Sequence, residues 1–186
     1  MDQHEQERVI ATVVSAFISD PVERWLWRGA WQYLTHFPVF VTAFGSAAFA
    51  ADAVCTLEDF AAVALWIPPG AAPDGDRIVT VLRDTVPAEQ HADAFAVLEQ
   101  MDRAHPRRAH WYLPWLAVDP RRQHAGLGSR LLERGLARVD ADHLPAYLET
   151  PNPRTVPLYE RHGFDVVGSW KAGACPPITS MLRAAR

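Results

Sequence analysis

Val118-Asp119-Pro120-Arg121-Arg122-Gln123-His124-Ala125-Gly126-Leu127-Gly128-Ser129-Arg130-Leu131-Leu132 reads as a strand end, a short polar turn and two glycines that open an amphipathic helix. Asp119-Pro120 closes the strand, and Leu127, Leu131, Leu132, Leu136 and Val139 recur at helical spacing. A helix start leaves its first N–H groups unpaired, so this order builds a pocket of backbone donors suited to a pyrophosphate. A side chain at 126 or 128 would hold phosphates away from those donors, and Arg121, Arg122 and Arg130 bring positive charge to the loop. Taken alone, the two glycines serve a tight turn equally well. No Gly-Lys-Ser/Thr follows, so the loop is not a P-loop, and the three-glycine dinucleotide fingerprint is missing.

Outward from this turn the chain alternates strands and helices. His110 to Val118 is a strand rich in aromatics, and Pro114 inside it removes a ladder donor, which predicts a bulge or a deliberate loss of pairing. Downstream come a strand over Ala146–Thr150, a loop over 151–154, a short helix ending at Gly163, and strands around 164–170 and 178–183. Upstream, Val9, Ile10, Val13, Val14 and Phe17 mark a first amphipathic helix. Asp20-Pro21-Val22-Glu23 reads as an N-cap, a proline at the first helical position and a capping glutamate, opening a second helix with Trp25, Leu26, Trp27, Trp31 and Leu34. Residues 37–51 are apolar core material. Ala53–Thr56 and Ala61–Ile67 form a hairpin closed by Pro68-Pro69-Gly70, and residues 74–105 are helical with a split near Pro87. The expectation is one α/β domain over 1–186, with a helical part over 1–49 and a sheet core over 50–186.

Composition narrows the function. With 186 residues, 49% hydrophobic and 22% charged, the chain is long enough to bury a sizeable core. A net charge of −4 and a pI near 6.0 speak against nucleic acid or an anionic membrane as partner. No stretch approaches the roughly 20 apolar residues of a membrane span, and the polar start Met1-Asp2-Gln3-His4-Glu5 does not resemble a signal peptide. Cys55 and Cys175 lie far apart without metal-site spacing, and a reducing cytoplasm fits best. The eight histidines are scattered, and Pro106 keeps His105 and His110 off a common helix face, so no metal site is expected.

A second motif follows the first in order: Leu148-Glu149-Thr150-Pro151-Asn152-Pro153, then Leu158-Tyr159-Glu160-Arg161-His162-Gly163-Phe164. Together with Gln123-x-x-Gly126-x-Gly128 it resembles the GCN5-related N-acetyltransferases (GNAT), over roughly residues 50–183. Ala-Val-Ala-Leu-Trp at 62–66, Trp111-Tyr112-Leu113 and Leu148-Glu149-Thr150 look most like the puromycin-acetyltransferase-like branch. The resemblance implies an α/β (α+β) fold: a mixed, mostly antiparallel sheet splayed between its fourth and fifth strands and flanked by helices. That family opens on a strand, whereas this chain opens on a helix, so the first strand is either absent or lost to a late start residue.

The implied reaction is direct acetyl transfer from acetyl-CoA to a primary amine of a small molecule, by a monomer or homodimer. Backbone N–H groups of Gln123, His124, Ala125, Gly126, Leu127, Gly128 and Ser129 would hold the pyrophosphate, and Leu116-Ala117-Val118 would pair with the pantetheine arm as an added strand does. Asn152 matches a position contacting that arm, or it forms an Asx-turn before Pro153. Tyr159 matches the family's general acid, its pKa expected to fall toward that of a thiol under the helix dipole; otherwise it is a core tyrosine. Glu149 is a general base, or a carboxylate that orients the ammonium or pairs with an arginine. Of seven tryptophans, Trp27, Trp31, Trp66 and Trp111 are candidates to line the acceptor site, although aromatic stripes of this kind are usually core. Trp25 and Trp27 cannot both face inward on one helix. A protein N-terminal or lysine acetyltransferase and a silent acyl-CoA-binding module remain as other readings.

Overall fold

A computed structural model describes residues 1–186. The helical N-terminal part comprises α1 (Gln3–Ala16), α2 (Pro21–Leu26), α3 (Ala30–Phe44) and α4 (Ser46–Ala50). The hairpin β1 (Val54–Leu57) and β2 (Ala62–Ile67) follows, then α5 (Gly75–Thr85), α6 (His91–Ala104) and β3 (Trp111–Val118). The C-terminal third holds α7 (Leu127–Ala141), β4 (Ala146–Thr150), α8 (Val156–Arg161), β5 (Asp165–Trp170) and β6 (Ile178–Arg183). The strands form one sheet in the order β1-β2-β3-β4-β6-β5, antiparallel except for the β3–β4 pair. No strand precedes α1, so β1 is the sheet edge and β3 and β4 correspond to the fourth and fifth strands of the expected fold. No helix is long and apolar enough to cross a membrane.

The second helix expected from the sequence is two helices. The chain leaves helical geometry at Trp27, the C-cap of α2, and re-enters at Gly29, whose N–H donates to Gln32 Oε1 at 3.1 Å. This break removes the conflict between Trp25 and Trp27. Off the helix, Trp27 turns fully inward and donates from Nε1 to Thr85 Oγ1 at 2.9 Å, while Trp25 is buried as well. The glutamate of Asp20-Pro21-Val22-Glu23 also departs from expectation. Asp20 caps the N–H groups of Val22 and Glu23, but its own N–H donates to the Phe17 carbonyl at 2.9 Å, so Glu23 has nothing to bond back to.

Strand alternation divides the core into two layers. Ala62, Ala64 and Trp66 of β2 face α7, whereas Val63, Leu65 and Ile67 face the N-terminal helices with α5 and α6. On β3, Trp111 and Leu113 face α7, yet Trp115 and Ala117 face the opposite side. The parity changes because β3 bulges at Pro114: Leu65 pairs with Trp115, but Ile67 pairs with Tyr112. The bulge therefore turns Tyr112 and Trp115 to the same face. On β4, Ala146 and Leu148 pack toward α7, and Tyr147 packs on the other layer.

Trp66 lies against the middle of α7, where a Cβ at Gly135 would come within 2.1 Å of its indole nitrogen. Gly135→Ala should therefore lower stability by about 1–3 kcal/mol through overpacking, despite the better helix propensity of alanine. A drop in the urea midpoint with an unchanged slope would show it; an unchanged or higher midpoint would contradict the packing.

Candidate functional site

The parallel pairing of β3 with β4 covers only Trp111–Ala146 and Tyr112–Tyr147. Beyond Tyr112 the strands diverge, while β3 stays paired to β2 through Val118. Residues 113–118 thus carry one unpaired backbone edge in the middle of a sheet, a template for another extended chain. Leu116, Ala117 and Val118 lie on this edge, and Gln123 Nε2 donates to the Val118 carbonyl at 3.3 Å.

The turn after β3 presents donors at the mouth of this gap. Arg130 N–H bonds the Gly126 carbonyl at 3.2 Å, and the N–H groups of residues 123–129 find no acceptor within the chain. His124 and Gly126 both take left-handed backbone geometry (φ 62° and 78°), and these free N–H groups stand at the start of α7, where a helix N-terminus suits an anion. A Cβ at Gly126 would project into open space, whereas one at Gly128 would press on Leu158. The loop charges are partly engaged: Glu58 of the β1–β2 turn pairs with Arg122 and with Arg130 (2.8 Å), and Arg121 pairs with Asp119 at 3.4 Å. Leu127 is buried, and Ser129 Oγ bonds His162 Nε2 at 3.0 Å.

On the face opposite α7, a largely apolar cavity, open in part to solvent, lies under the diverging strands. Phe40 and Phe44 of α3, Leu82 of α5 and Met101 of α6 supply its apolar walls; Pro114, Trp115 and Glu149 bring it to the gap. Glu149 accepts from Tyr147 Oη at 3.1 Å and from Tyr112 Oη at 3.5 Å, and burial outweighs both bonds, raising its pKa to about 8. Ser180 Oγ donates to Tyr147 Oη at 3.0 Å and accepts from Trp170 Nε1 at 3.0 Å. No arginine or lysine pairs with Glu149.

Tyr159 sits on α8 in the layer beneath α7, edge-on to Phe164 with centroids 6.0 Å apart. Its phenol is pushed well above the ordinary value by burial alone. The expected lowering by the helix dipole is overturned: α8 has only six residues, too few to offset desolvation. Asn152 Oδ1 accepts from Arg154 N–H at 3.1 Å, so the Asx-turn is formed, and its amide nitrogen makes no bond within the chain.

None of the four tryptophans expected at the acceptor site lines the cavity. Trp66 and Trp111 face α7, Trp111 donating to Asp142 Oδ2 at 2.9 Å; Trp27 is core, and Trp31 is 71% exposed on α3. Trp25 and Trp115 line it instead, each with an unpartnered buried indole N–H, together with Asp20 and Glu23.

Comparison with known proteins agrees with this architecture. Residues 56–164 match the model of the acetyltransferase (GNAT) family. An uncharacterized N-acetyltransferase of Schizosaccharomyces pombe is 24% identical, aligned over 88% of this chain and 72% of its own. Among solved structures, a Corynebacterium glutamicum protein described as histone acetyltransferase HPA2 and related acetyltransferase has a TM-score of 0.68 at 24% identity, covering 100% of this chain and 94% of its own. A mosquito arylalkylamine N-acetyltransferase-like protein has a TM-score of 0.66 at 14% identity, covering 97% and 95%.

Proposed function

The chain belongs to the acetyltransferase (GNAT) family, and from that premise we propose that it transfers the acetyl group of acetyl-CoA to a primary amine of a small, largely apolar molecule seated in the cavity. The observation that carries this reading is the half-buried carboxyl of Glu149, at the point where the apolar cavity meets the gap between β3 and β4.

Acetyl-CoA supplies the activated thioester. The free donors at 123–129 suit its pyrophosphate, and the unpaired edge of β3 at 116–118 suits the amides of its arm. Glu149, with its pKa near 8, takes the proton that the acceptor ammonium must lose before its nitrogen attacks the carbonyl carbon. As the C–S bond breaks, Tyr159 donates a hydrogen bond to the departing thiolate, which takes up its proton from solvent. Burial keeps that phenol protonated, so it acts only as a donor. Tyr147 and Tyr112 hold the Glu149 carboxyl in place, and Ser180 fixes Tyr147.

Incubation with acetyl-CoA and a series of alkyl- and arylalkylamines, following thiol release and the mass of the N-acetyl product, tests the activity. Stoichiometric thiol and N-acetylamine are expected; tight cofactor binding without any product would overturn the transferase reading. The loop is tested separately by Gly126→Ala. Left-handed backbone costs a residue with a Cβ about 1–2 kcal/mol, so acetyl-CoA binding should weaken by roughly tenfold. Unchanged affinity by calorimetry would remove the loop from the cofactor site.

A further inference from the structure

Glu23 is a buried carboxylate without a counterion. It is 6% exposed, lines the cavity, and its Oε2 has no hydrogen-bond partner. It is free of any capping duty, because the Asp20 N–H is already satisfied by Phe17. Asp20, one helical turn earlier, lines the same cavity, and no lysine or arginine forms a salt bridge with either carboxylate. The nearby Arg24 is directed elsewhere: its guanidinium lies 5.2 Å from the Tyr33 ring centroid and bonds the Arg28 carbonyl. An ionised carboxyl in such a place is costly unless something pairs with it, and the protein supplies no partner.

We propose that the Asp20–Glu23 end of the cavity binds a second cationic group of the acceptor, so that the substrate is an amine carrying another ammonium or amidinium beyond an apolar spacer. The proposal rests on the acceptor reading of the cavity given above. Glu149 then receives the reacting nitrogen at the strand gap, while Glu23 and Asp20 hold the distal cation from α2. Phe40, Phe44 and Met101 line the same cavity with apolar surface that fits methylenes or a ring. Such a pairing would also relieve the cost of two carboxyls held out of water. Burial lifts Asp20 to about 6, and burial with the charge of Asp20 lifts Glu23 well above the ordinary range. A bound cation would offset both effects.

The test uses α,ω-diaminoalkanes of three to eight carbons and the n-alkylamines of equal length, with the whole protein saturated with CoA. Calorimetric Kd values are measured for each pair, and kcat/KM is measured with acetyl-CoA. The expected result is a diamine bound at least tenfold more tightly than its matched monoamine, with the preference peaking at one chain length. Glu23→Gln should collapse that ratio. Equal binding of diamines and monoamines at every length overturns the proposal, and so does a preference that survives Glu23→Gln. If the variant does not fold, the chain-length series on the wild-type protein decides alone. Acetylation of monoamines without any diamine preference would leave the transferase reading standing and this site refuted. A diamine preference in binding without turnover of any amine would do the reverse.

Discussion

Replacing Glu149 with Gln is expected to lower kcat by roughly 10²–10⁴-fold while leaving acetyl-CoA affinity nearly unchanged. The amide keeps the shape of the side chain and its single oxygen can still accept from one of the two tyrosines, which now bond separate oxygens of the carboxyl, but it cannot take the ammonium proton. The pH dependence separates a base from a mere anchor. With a pKa near 8, the wild-type carboxyl is mostly protonated at pH 6 and becomes a competent base as pH rises through about 8. Wild-type kcat/KM should climb over that window, and the residual activity of Glu149→Gln should lack the same limb. The other groups near this carboxyl are Tyr112, Tyr147 and Ser180, with His105 packed on both tyrosine rings at 4.6 and 4.7 Å. His105 titrates below its ordinary value because of burial, and the tyrosines titrate far above it, so neither reproduces a limb near 8.

Stability gives an independent check with a definite sign. The folded protein holds the Glu149 proton up to about pH 8, whereas the unfolded chain loses it near the ordinary value of 4.5. The protonated carboxyl therefore adds stability that is fully present below about 4.5 and is lost as pH rises through 8. Asp20 and Glu23 act in the same direction but are common to wild type and variant. The Tm of Glu149→Gln relative to wild type should rise between pH 5 and pH 9; a constant difference would mean that the carboxyl is not strained by burial.

Tyr159→Phe is the second large effect, expected to lower kcat about 10²-fold or more without changing acetyl-CoA affinity. Phenylalanine preserves the edge contact with Phe164, so folding should be spared. Because burial drives the phenol upward, no alkaline limb from Tyr159 should appear between pH 6 and pH 10. A limb near pH 8.5 that vanishes in Tyr159→Phe would instead favour an acidified tyrosine. Unchanged turnover would make Tyr159 a packing residue only.

Much of the frame was readable from local pattern. The strand at 146–150, the split of the helical stretch near Pro87 and the lost pairing around Pro114 all follow from backbone constraints written in single residues. The break between α2 and α3 was missed because the apolar pattern runs through it. Gly29 with Gln32 three residues later was the available signal, a helix start inside an apparently continuous helix. The acceptor cavity was harder to see. Trp66 and Trp111 are aromatic and lie on strands at the site, but face is decided by register, and the bulge at Pro114 gives the cavity to Trp115 instead. Glu23 looked like a cap because its spacing is that of a cap. Only the Asp20–Phe17 hydrogen bond reveals that its side chain is spare.

A crystal structure of the protein with CoA and a bound primary amine examines the site most directly. The result expected is a pyrophosphate on the N–H groups of 123–129, the pantetheine arm along 116–118, and the sulfur between Glu149 and Tyr159 with the amine in the cavity. An arm bound elsewhere, or an amine nitrogen remote from Glu149, would contradict it.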